Sequence, residues 1–152
     1  MRVTIVAFIV LVTSVLLSGC EPDGRSPGLW LSGTVKPFAE DWRFTDSHDE
    51  ISIEMSSPYL LPHSVTIWCA QLDGNLYVAA GQAATKNWPG WVDDAPDVVL
   101  KIGEDLYEVR LKSLTDEAEI VALQAVYAEK YKLGEATDVA STTSRYWSVH
   151  PR

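Results

Sequence analysis

Two β-hairpin signals between residues 64 and 112 constrain the fold more than any other part of the sequence. In each, a two-residue turn that contains Gly separates two runs rich in alternating apolar residues, which is typical of antiparallel strands joined by a tight turn. The turns are Asp73-Gly74 and Gly103-Glu104. Four strands are therefore predicted, at Ser64–Leu72, Asn75–Ala80, Asp97–Ile102 and Asp105–Lys112.

Weaker strand patterns flank the two hairpins. Ile51 to Met55 alternates apolar and polar residues and predicts a half-buried strand. Trp30 to Val35 predicts an opening strand, with a bulge at Gly33 as one option. Tyr146-Trp147 predicts a short last strand that packs back on the others. Short strands in this number favour a small, mainly β (α+β) barrel over a sandwich.

One amphipathic helix is predicted after the second hairpin. Thr115 can cap its first turn, whose acidic residues suit the positive end of the helix dipole, and Gly134 can end it. The apolar residues that step by three and four along one face are Ile120, Leu123, Tyr127 and Tyr131. This face should pack on the barrel.

The strand at Ser64–Leu72 carries apolar residues on both faces. The two sets are Val65, Ile67 and Cys69 on one face and Trp68, Ala70 and Leu72 on the other. One barrel core needs only one of these faces, and a large exposed apolar patch is unusual on a monomer. We therefore predict a homodimer with its interface on the second face. The alternative is that the helix or Tyr146-Trp147 covers this face from within.

The N-terminal residues have the pattern of a bacterial lipoprotein precursor. Arg2 precedes the apolar run Val3 to Leu17, which is shorter than the roughly 20 residues of a membrane span and fits the hydrophobic region of a signal peptide. Leu17-Ser18-Gly19-Cys20 then resembles a lipobox, which implies cleavage before Cys20 and lipidation of that residue. An ordinary secretory signal and an uncleaved N-terminal anchor are the alternatives.

The lipoprotein interpretation divides the chain into a signal peptide (1–19), a flexible tether (20–29) and a barrel domain (30–152). The tether is rich in Pro, Gly and polar residues and cannot bury a core. Glu21, and not Asp, follows Cys20. By resemblance to bacterial lipoprotein sorting, this implies an outer-membrane protein that faces the periplasm, with the membrane as a partner through the lipid.

The charge of the chain argues against nucleic-acid binding. In residues 20–152, 11 Lys and Arg stand against 21 Asp and Glu, a net charge of −10, because Arg2 is the one base of the signal peptide. An acidic surface repels phosphate backbones and anionic lipid. We therefore expect no nucleic-acid partner.

Cys69 is one of only two cysteines. If Cys20 carries lipid, Cys69 has no partner for an internal disulfide. Its apolar strand favours a small, buried and slowly reacting side chain. A reactive thiol would need a nearby cation or helix N-terminus, and the neighbouring sequence shows neither.

The insert at residues 81–91, between the two hairpins, is the predicted ligand site. Lys86 is the only Lys or Arg between residues 44 and 100. Asn87 can cap a short helix that begins at Trp88, and a helix start attracts anions. Two readings stay open: an aromatic, anionic ligand held by Lys86 and the tryptophans, or a solvated lysine on a loop whose tryptophans pack into the barrel.

Four short motifs follow one another between residues 76 and 110. They are Leu76-Tyr77-Val78, Lys86-x-Trp88-Pro89, Pro96-Asp97-Val98-x-Leu100-x-Ile102-Gly103 and Tyr107-Glu108-Val109-Arg110. Their order and spacing resemble the pyridoxamine phosphate oxidase-like split β-barrels, most of all the deazaflavin-dependent nitroreductases and their uncharacterised relatives. The likeness covers Ile51 to Lys132. It implies a six- to seven-stranded split β-barrel with a short helical insert and one C-terminal helix.

The resemblance also implies a cofactor, either flavin mononucleotide (FMN) or a deazaflavin, and a redox function. Family members hold the cofactor phosphate against the loop that corresponds here to residues 81–88. The implied cofactor-binding residues are Gly81, Thr85, Lys86, Trp88 and Trp68. This chain departs from the family because residues 66–72 contain no Lys or Arg to bind phosphate. No catalytic residue follows from the motifs.

Other functions stay open at this point. The same barrel could bind a small molecule or a protein without any cofactor, or could serve a structural role. Haem is less favoured, because its candidate ligand His63 falls in a predicted loop. His48 stands among Asp46, Asp49 and Glu50 without a second histidine at helical spacing, so we predict no metal site.

Overall fold

The computed structural model describes residues 28–133 and 143–152. The predicted signal peptide, Cys20, most of the tether and the helix stop at Gly134 lie outside these described residues, so the predictions made for them stay predictions. The described part folds into seven strands, two α-helices and two short 3₁₀ turns.

Six of the seven strands close into a barrel. The strands are β1 (Thr34–Lys36), β2 (Ile51–Ser56), β3 (Pro62–Leu72), β4 (Asn75–Ala80), β5 (Asp97–Ile102), β6 (Asp105–Ser113) and β7 (Arg145–Pro151). Around the barrel the order is β2, β3, β4, β7, β6, β5 and back to β2, with antiparallel pairing throughout. β1 is the extra strand and pairs in parallel with β6. The predicted mainly β barrel of six to seven strands is confirmed.

The helices also lie where the sequence predicted them. The insert contains the 3₁₀ turn Ala83–Thr85 and helix α1 (Trp88–Asp94), and helix α2 (Glu117–Tyr131) follows the second hairpin. A further 3₁₀ turn spans Arg43–Ser47. Within the described ranges, no helix is both long and apolar enough to span a bilayer.

The two hairpin turns adopt the backbone that their residues favour. Asp73 and Gly74 both have positive φ, 52° and 82°, as a type I′ turn requires. In the second turn Gly103 has a φ of 61°. The turns set the register, which pairs Leu72 with Asn75 and Ile102 with Asp105.

The opening strand is shorter than predicted. Only Thr34–Lys36 pairs as β1, because Thr34 lies opposite Asp105, the first residue of β6, and residues before Thr34 have no part of β6 to pair with. At the other end, β7 takes residues 109–113 of the same β6 edge. The prediction of a strand from Trp30 was wrong for its first four residues. Gly33 is no bulge in a ladder; it passes so close to Glu104 that an added Cβ would lie 2.5 Å from the carbonyl oxygen.

The barrel core follows from strand alternation. Every second residue of β5 is buried, and β2 shows the same alternation. Trp42 closes one end of the barrel, buried against the rings of Phe38 and Tyr107 at centroid distances of 5.3 and 5.1 Å. Inward-facing positions from all six barrel strands therefore meet in one apolar cluster.

Helix α2 packs on the outer face of β3 and β4. Leu123 and Tyr127 are fully buried there, in a second cluster with Ala70 and Tyr146. The cap is Asp116 and not Thr115 as predicted: the Asp116 carboxylate accepts a hydrogen bond from the Glu119 amide at 2.8 Å. An aspartate one residue closer to the first turn is the better placed acceptor.

This packing removes the reason for which the sequence suggested a dimer. The second apolar face of β3 includes Ala70, which α2 covers, and Trp68, which stacks on Tyr131 of the same helix at 4.4 Å. The face is thus largely satisfied within one chain. A homodimer stays a prediction, and it would have to use another surface.

Candidate functional site

A cleft of about 970 Å³ lies on the outside of the barrel between β3 and the insert. β3 is 11 residues long, and its pairing with β4 begins only at Trp68. The first half of β3 therefore extends beyond β4 and leaves room for the insert. The lining residues that matter below are Tyr59, His63, Trp68, Gly81, Lys86, Trp88 and Trp91.

The insert is held against the barrel by buried side chains and one ion pair. Val92 of α1 lies in the main core. Asp93 forms a two-pronged ion pair with Arg145, both distances 2.8 Å, and these hydrogen bonds hold the pKa of Asp93 below its usual value. The Arg145 guanidinium in turn lies 4.8 Å from the centroid of the Trp147 ring. One wall of the cleft is therefore fixed to the core and to β7.

Aromatic rings form much of the cleft surface. Trp91 is half-buried and meets Tyr59 and His63 edge-on, with ring centroids 5.7 and 5.2 Å away. Trp68 is half-buried, with Tyr131 stacked on it. Flat apolar surface of this kind suits an aromatic ligand.

Trp88 lies deeper than the other tryptophans of the cleft. It is buried and packs against Trp147 with ring centroids 5.2 Å apart. For this residue the reading in which a tryptophan packs into the barrel is correct. Trp88 touches the cleft but mainly supports its floor.

Lys86 is the lysine that lines the cleft. Its side chain is exposed, and the ion pairs between described residues do not include it. Asn87 does stand at the N-cap of α1 as predicted, but its side chain makes no capping hydrogen bond and the helix has only seven residues. The structure therefore gives little support to the prediction that the start of α1 helps to bind an anion. Lys86 is the residue of the cleft that could contact one.

The structure gathers four of the five predicted cofactor-binding residues around this cleft: Gly81, Lys86, Trp88 and Trp68. Thr85 does not line the cleft; its hydroxyl donates to the Gln82 carbonyl at 2.8 Å within the exposed 3₁₀ turn. That these residues bind a cofactor stays a prediction.

His63 lies in a strand and not in the loop that the sequence predicted. It lies in β3, paired with Met55, and lines the cleft. Pro62 suggested a loop, but proline is tolerated as the first residue of a strand. Because Pro62 can begin a strand, His63 directly after it could have been assigned to β3 from the sequence.

Cys69 has a cationic neighbour that the local sequence could not reveal. Lys130 of α2 donates to the carbonyls of Thr45 and Cys69 at 3.0 and 2.9 Å, and its Nζ lies 3.7 Å from the Cys69 Sγ. Burial raises the pKa of the Cys69 thiol, and the nearby Lys130 charge offsets this only in part. The thiol should therefore be protonated at neutral pH.

We expect Cys69 to react slowly in the folded protein. A buried thiol with a raised pKa presents little thiolate, so a maleimide should modify native protein at least about tenfold more slowly than protein unfolded in urea. Burial makes the pKa of the Cys69 thiol higher in the folded protein than in the unfolded chain. The stability that this difference contributes is fully present below the pKa of the unfolded chain, and it is lost as the pH rises through the pKa of the folded protein. Fast modification without unfolding would contradict the buried position.

Groups that could hold a metal ion are absent from the described ranges: no three His, Cys, Asp or Glu side chains come together there. In the polar turn around His48, the Asp46 carboxylate accepts a hydrogen bond from Gln71 at 2.9 Å.

The fold is similar to several solved bacterial structures. A candidate pyridoxamine 5′-phosphate oxidase from Listeria innocua is 17% identical over 70% of this chain and 86% of its own, with a TM-score of 0.55. HutZ, the haem storage protein of Vibrio cholerae, is 10% identical over 72% and 85%, with a TM-score of 0.54. An FAD-binding protein from Mesorhizobium loti is 14% identical over 70% and 82%, with a TM-score of 0.50. No family model and no curated protein matches the sequence.

Proposed function

We propose that this chain, which has the split β-barrel fold of the pyridoxamine phosphate oxidase-like proteins, is a lipid-anchored envelope protein that binds a flat, aromatic, anionic ligand of the flavin or deazaflavin class. The observation that carries the proposal is the cleft itself. It combines aromatic walls from Trp68 and Trp91 with one exposed base, Lys86, in a single space.

The residues of the cleft fit such a ligand in size and chemistry. A volume of about 970 Å³ is at the upper end of the range for small-molecule and cofactor sites, roughly 300–1,000 Å³. Lys86 would hold the anionic group, and Trp68 and Trp91 would contact the ring system. Because β3 contains no Lys or Arg, Lys86 would take a larger share of the anion contact than in the family that the sequence resembles.

The protein would supply binding and orientation, and a bound flavin would supply electron or hydride transfer. Trp91 is fixed against Tyr59 and His63, so this wall would need little reorganisation on binding. The named FAD-binding neighbour supports the flavin class for this fold.

Haem is the second candidate ligand. His63 lies in the cleft with its ring against Trp91, and one structural neighbour is a haem storage protein. An imidazole in an aromatic pocket is a suitable axial ligand for haem iron. If neither ligand binds, we infer that the cleft binds another small molecule or a protein, without any cofactor.

Replacing Lys86 by Ala should weaken binding of FMN by roughly 1–3 kcal/mol, because a charge-assisted contact is lost. Folding should be almost unchanged, since the Lys86 side chain is exposed. Calorimetric titration of the purified full-length protein with FMN and with inorganic phosphate measures the effect.

Lys112→Ala is the matched control for this titration. Lys112 is an exposed lysine of β6 that does not line the cleft, so its removal changes the net charge equally without touching the site. Equal loss of affinity in both variants would assign the effect to overall charge. Equal affinity of the wild type and Lys86→Ala would remove Lys86 from the site.

A further inference from the structure

A group of exposed apolar side chains lies at the loop end of the β2–β3 hairpin. We call it the loop patch: Leu29, Trp30, Tyr59, Leu60 and Leu61, which are 47%, 64%, 66%, 95% and 48% exposed. None of the five side chains carries a charge. Such a concentration of large apolar residues on a surface usually marks an interaction site.

Backbone contacts bring the two parts of the loop patch together. The Gly28 carbonyl accepts a hydrogen bond from the Ser64 amide at 3.2 Å, and the Leu31 amide donates to the Glu54 carboxylate. Ser64 and Glu54 are paired across the hairpin. Leu29 and Trp30 are therefore held beside the two strands that carry the Tyr59–Leu61 loop.

The loop presents Leu60 to solvent in a fixed conformation. The Ser57 hydroxyl donates to the Leu61 carbonyl at 2.6 Å, and the Leu60 amide donates to the Ser57 carbonyl at 3.2 Å. Leu60 itself has a φ of 62°, which is costly for a residue other than glycine. Leu60 is almost fully exposed and has a strained backbone, so its side chain does not stabilise the barrel. Packing within the domain therefore does not explain why a leucine occupies this position.

We propose that the loop patch contacts the lipid bilayer in which Cys20 is anchored. The inference rests on the lipid anchor of the proposed function. Seven residues lie between Cys20 and Gly28, and even fully extended the eight Cα-to-Cα steps span at most about 29 Å. The tether joins the domain at Gly28, next to the loop patch, so a short tether turns this face toward the membrane.

The chemistry of the loop patch suits a membrane surface. Tryptophan and tyrosine concentrate at membrane interfaces, and leucine partitions into the boundary of the acyl chains. The chain outside the patch is acidic, so apolar contact, and not attraction to anionic lipid, would set the orientation. Tyr59 belongs to both the patch and the cleft, which places one rim of the cleft beside the bilayer.

The test uses the lipid-bearing mature protein (residues 20–152) in phosphatidylcholine vesicles, with an environment-sensitive dye on Leu60→Cys. Val121→Cys is the matched control, because Val121 is an apolar residue 65% exposed on α2. We expect a blue-shifted emission at residue 60 and loss of most of it when the vesicles contain lipid with a nitroxide on the acyl chain. The dye at residue 121 should show neither change. Leu61→Cys repeats the measurement at a second site of the loop patch.

Four results would overturn the contact. Equal quenching at residues 60 and 121, or no quenching at residues 60 and 61 in protein that floats with the vesicles, would show that this face does not meet the bilayer. Concentration-dependent energy transfer between dyes on two copies, without lipid quenching, would assign the loop patch to a second copy of the chain. Wild-type protein that does not float would overturn the anchor first, and the flotation assay reports this separately from the dye.

Discussion

Replacing Leu123 by Ala should lower the free energy of unfolding by about 2–5 kcal/mol, because it removes a buried leucine from a packed cluster. Leu123 is fully buried between α2 and the outer face of the barrel. The change leaves a cavity under the helix that rigid strands cannot fill. Urea denaturation at equilibrium measures the loss as a lower midpoint at an unchanged slope.

Val121→Ala is the control on the same helix. Val121 is exposed, so its truncation should change stability by no more than about 0.5 kcal/mol. If Leu123→Ala were as mild as Val121→Ala, α2 would not pack on β3 and β4, and the apolar face of β3 would need another cover.

Replacing Cys20 by Ser should abolish incorporation of labelled fatty acid into the protein. The proposed lipid is attached through the Cys20 sulfur, and a serine hydroxyl does not replace it in this modification. Metabolic labelling with palmitate, followed by fractionation of the cell envelope, measures the effect. The variant should leave the membrane fraction or accumulate as an uncleaved precursor.

Cys69→Ala is the matched control, since it removes the other cysteine of the chain. It should keep full labelling and lose on the order of 1 kcal/mol of stability from packing. A wild-type protein that takes up no label would contradict the lipid anchor. Loss of the label in the Cys69→Ala variant would show that Cys69, and not Cys20, is the modified residue.

The parts of the fold that could be predicted are those that local chemistry determines. Asp73-Gly74 adopts positive φ at both residues with little strain, so the first hairpin and its register follow from adjacent residues. Alternation in β2 and β5 indicates which side chains face the core. The helix face through Leu123 and Tyr127 follows from spacing in the same way.

The parts that could not be predicted depend on contacts between distant residues. Where the first strand begins depends on where its distant partner β6 begins, since Thr34 pairs with Asp105, the first residue of β6. Lys130 meets Cys69 only because α2 lies over β3, 61 residues along the chain. The second face of β3 looked like a dimer interface because the sequence does not say which element covers it.

The candidate site shows both situations. Lys86 stood out because the surrounding sequence has no other base, and it does line the cleft. Thr85, adjacent in sequence, turns away into its own 3₁₀ turn. Tyr59 and His63 reach the cleft from the β2–β3 hairpin, and no pattern within the insert could have pointed to them.

The absorption spectrum of the purified full-length protein decides whether the cleft binds a flavin. The protein is incubated with FMN, freed of unbound ligand by gel filtration and measured beside a sample that was given haem. We expect retained bands at about 370 and 450 nm, the absorption of a bound flavin, and their loss in the Lys86→Ala variant at limiting FMN. A protein that retains no flavin, or that retains only haem with its Soret band, would contradict the flavin site.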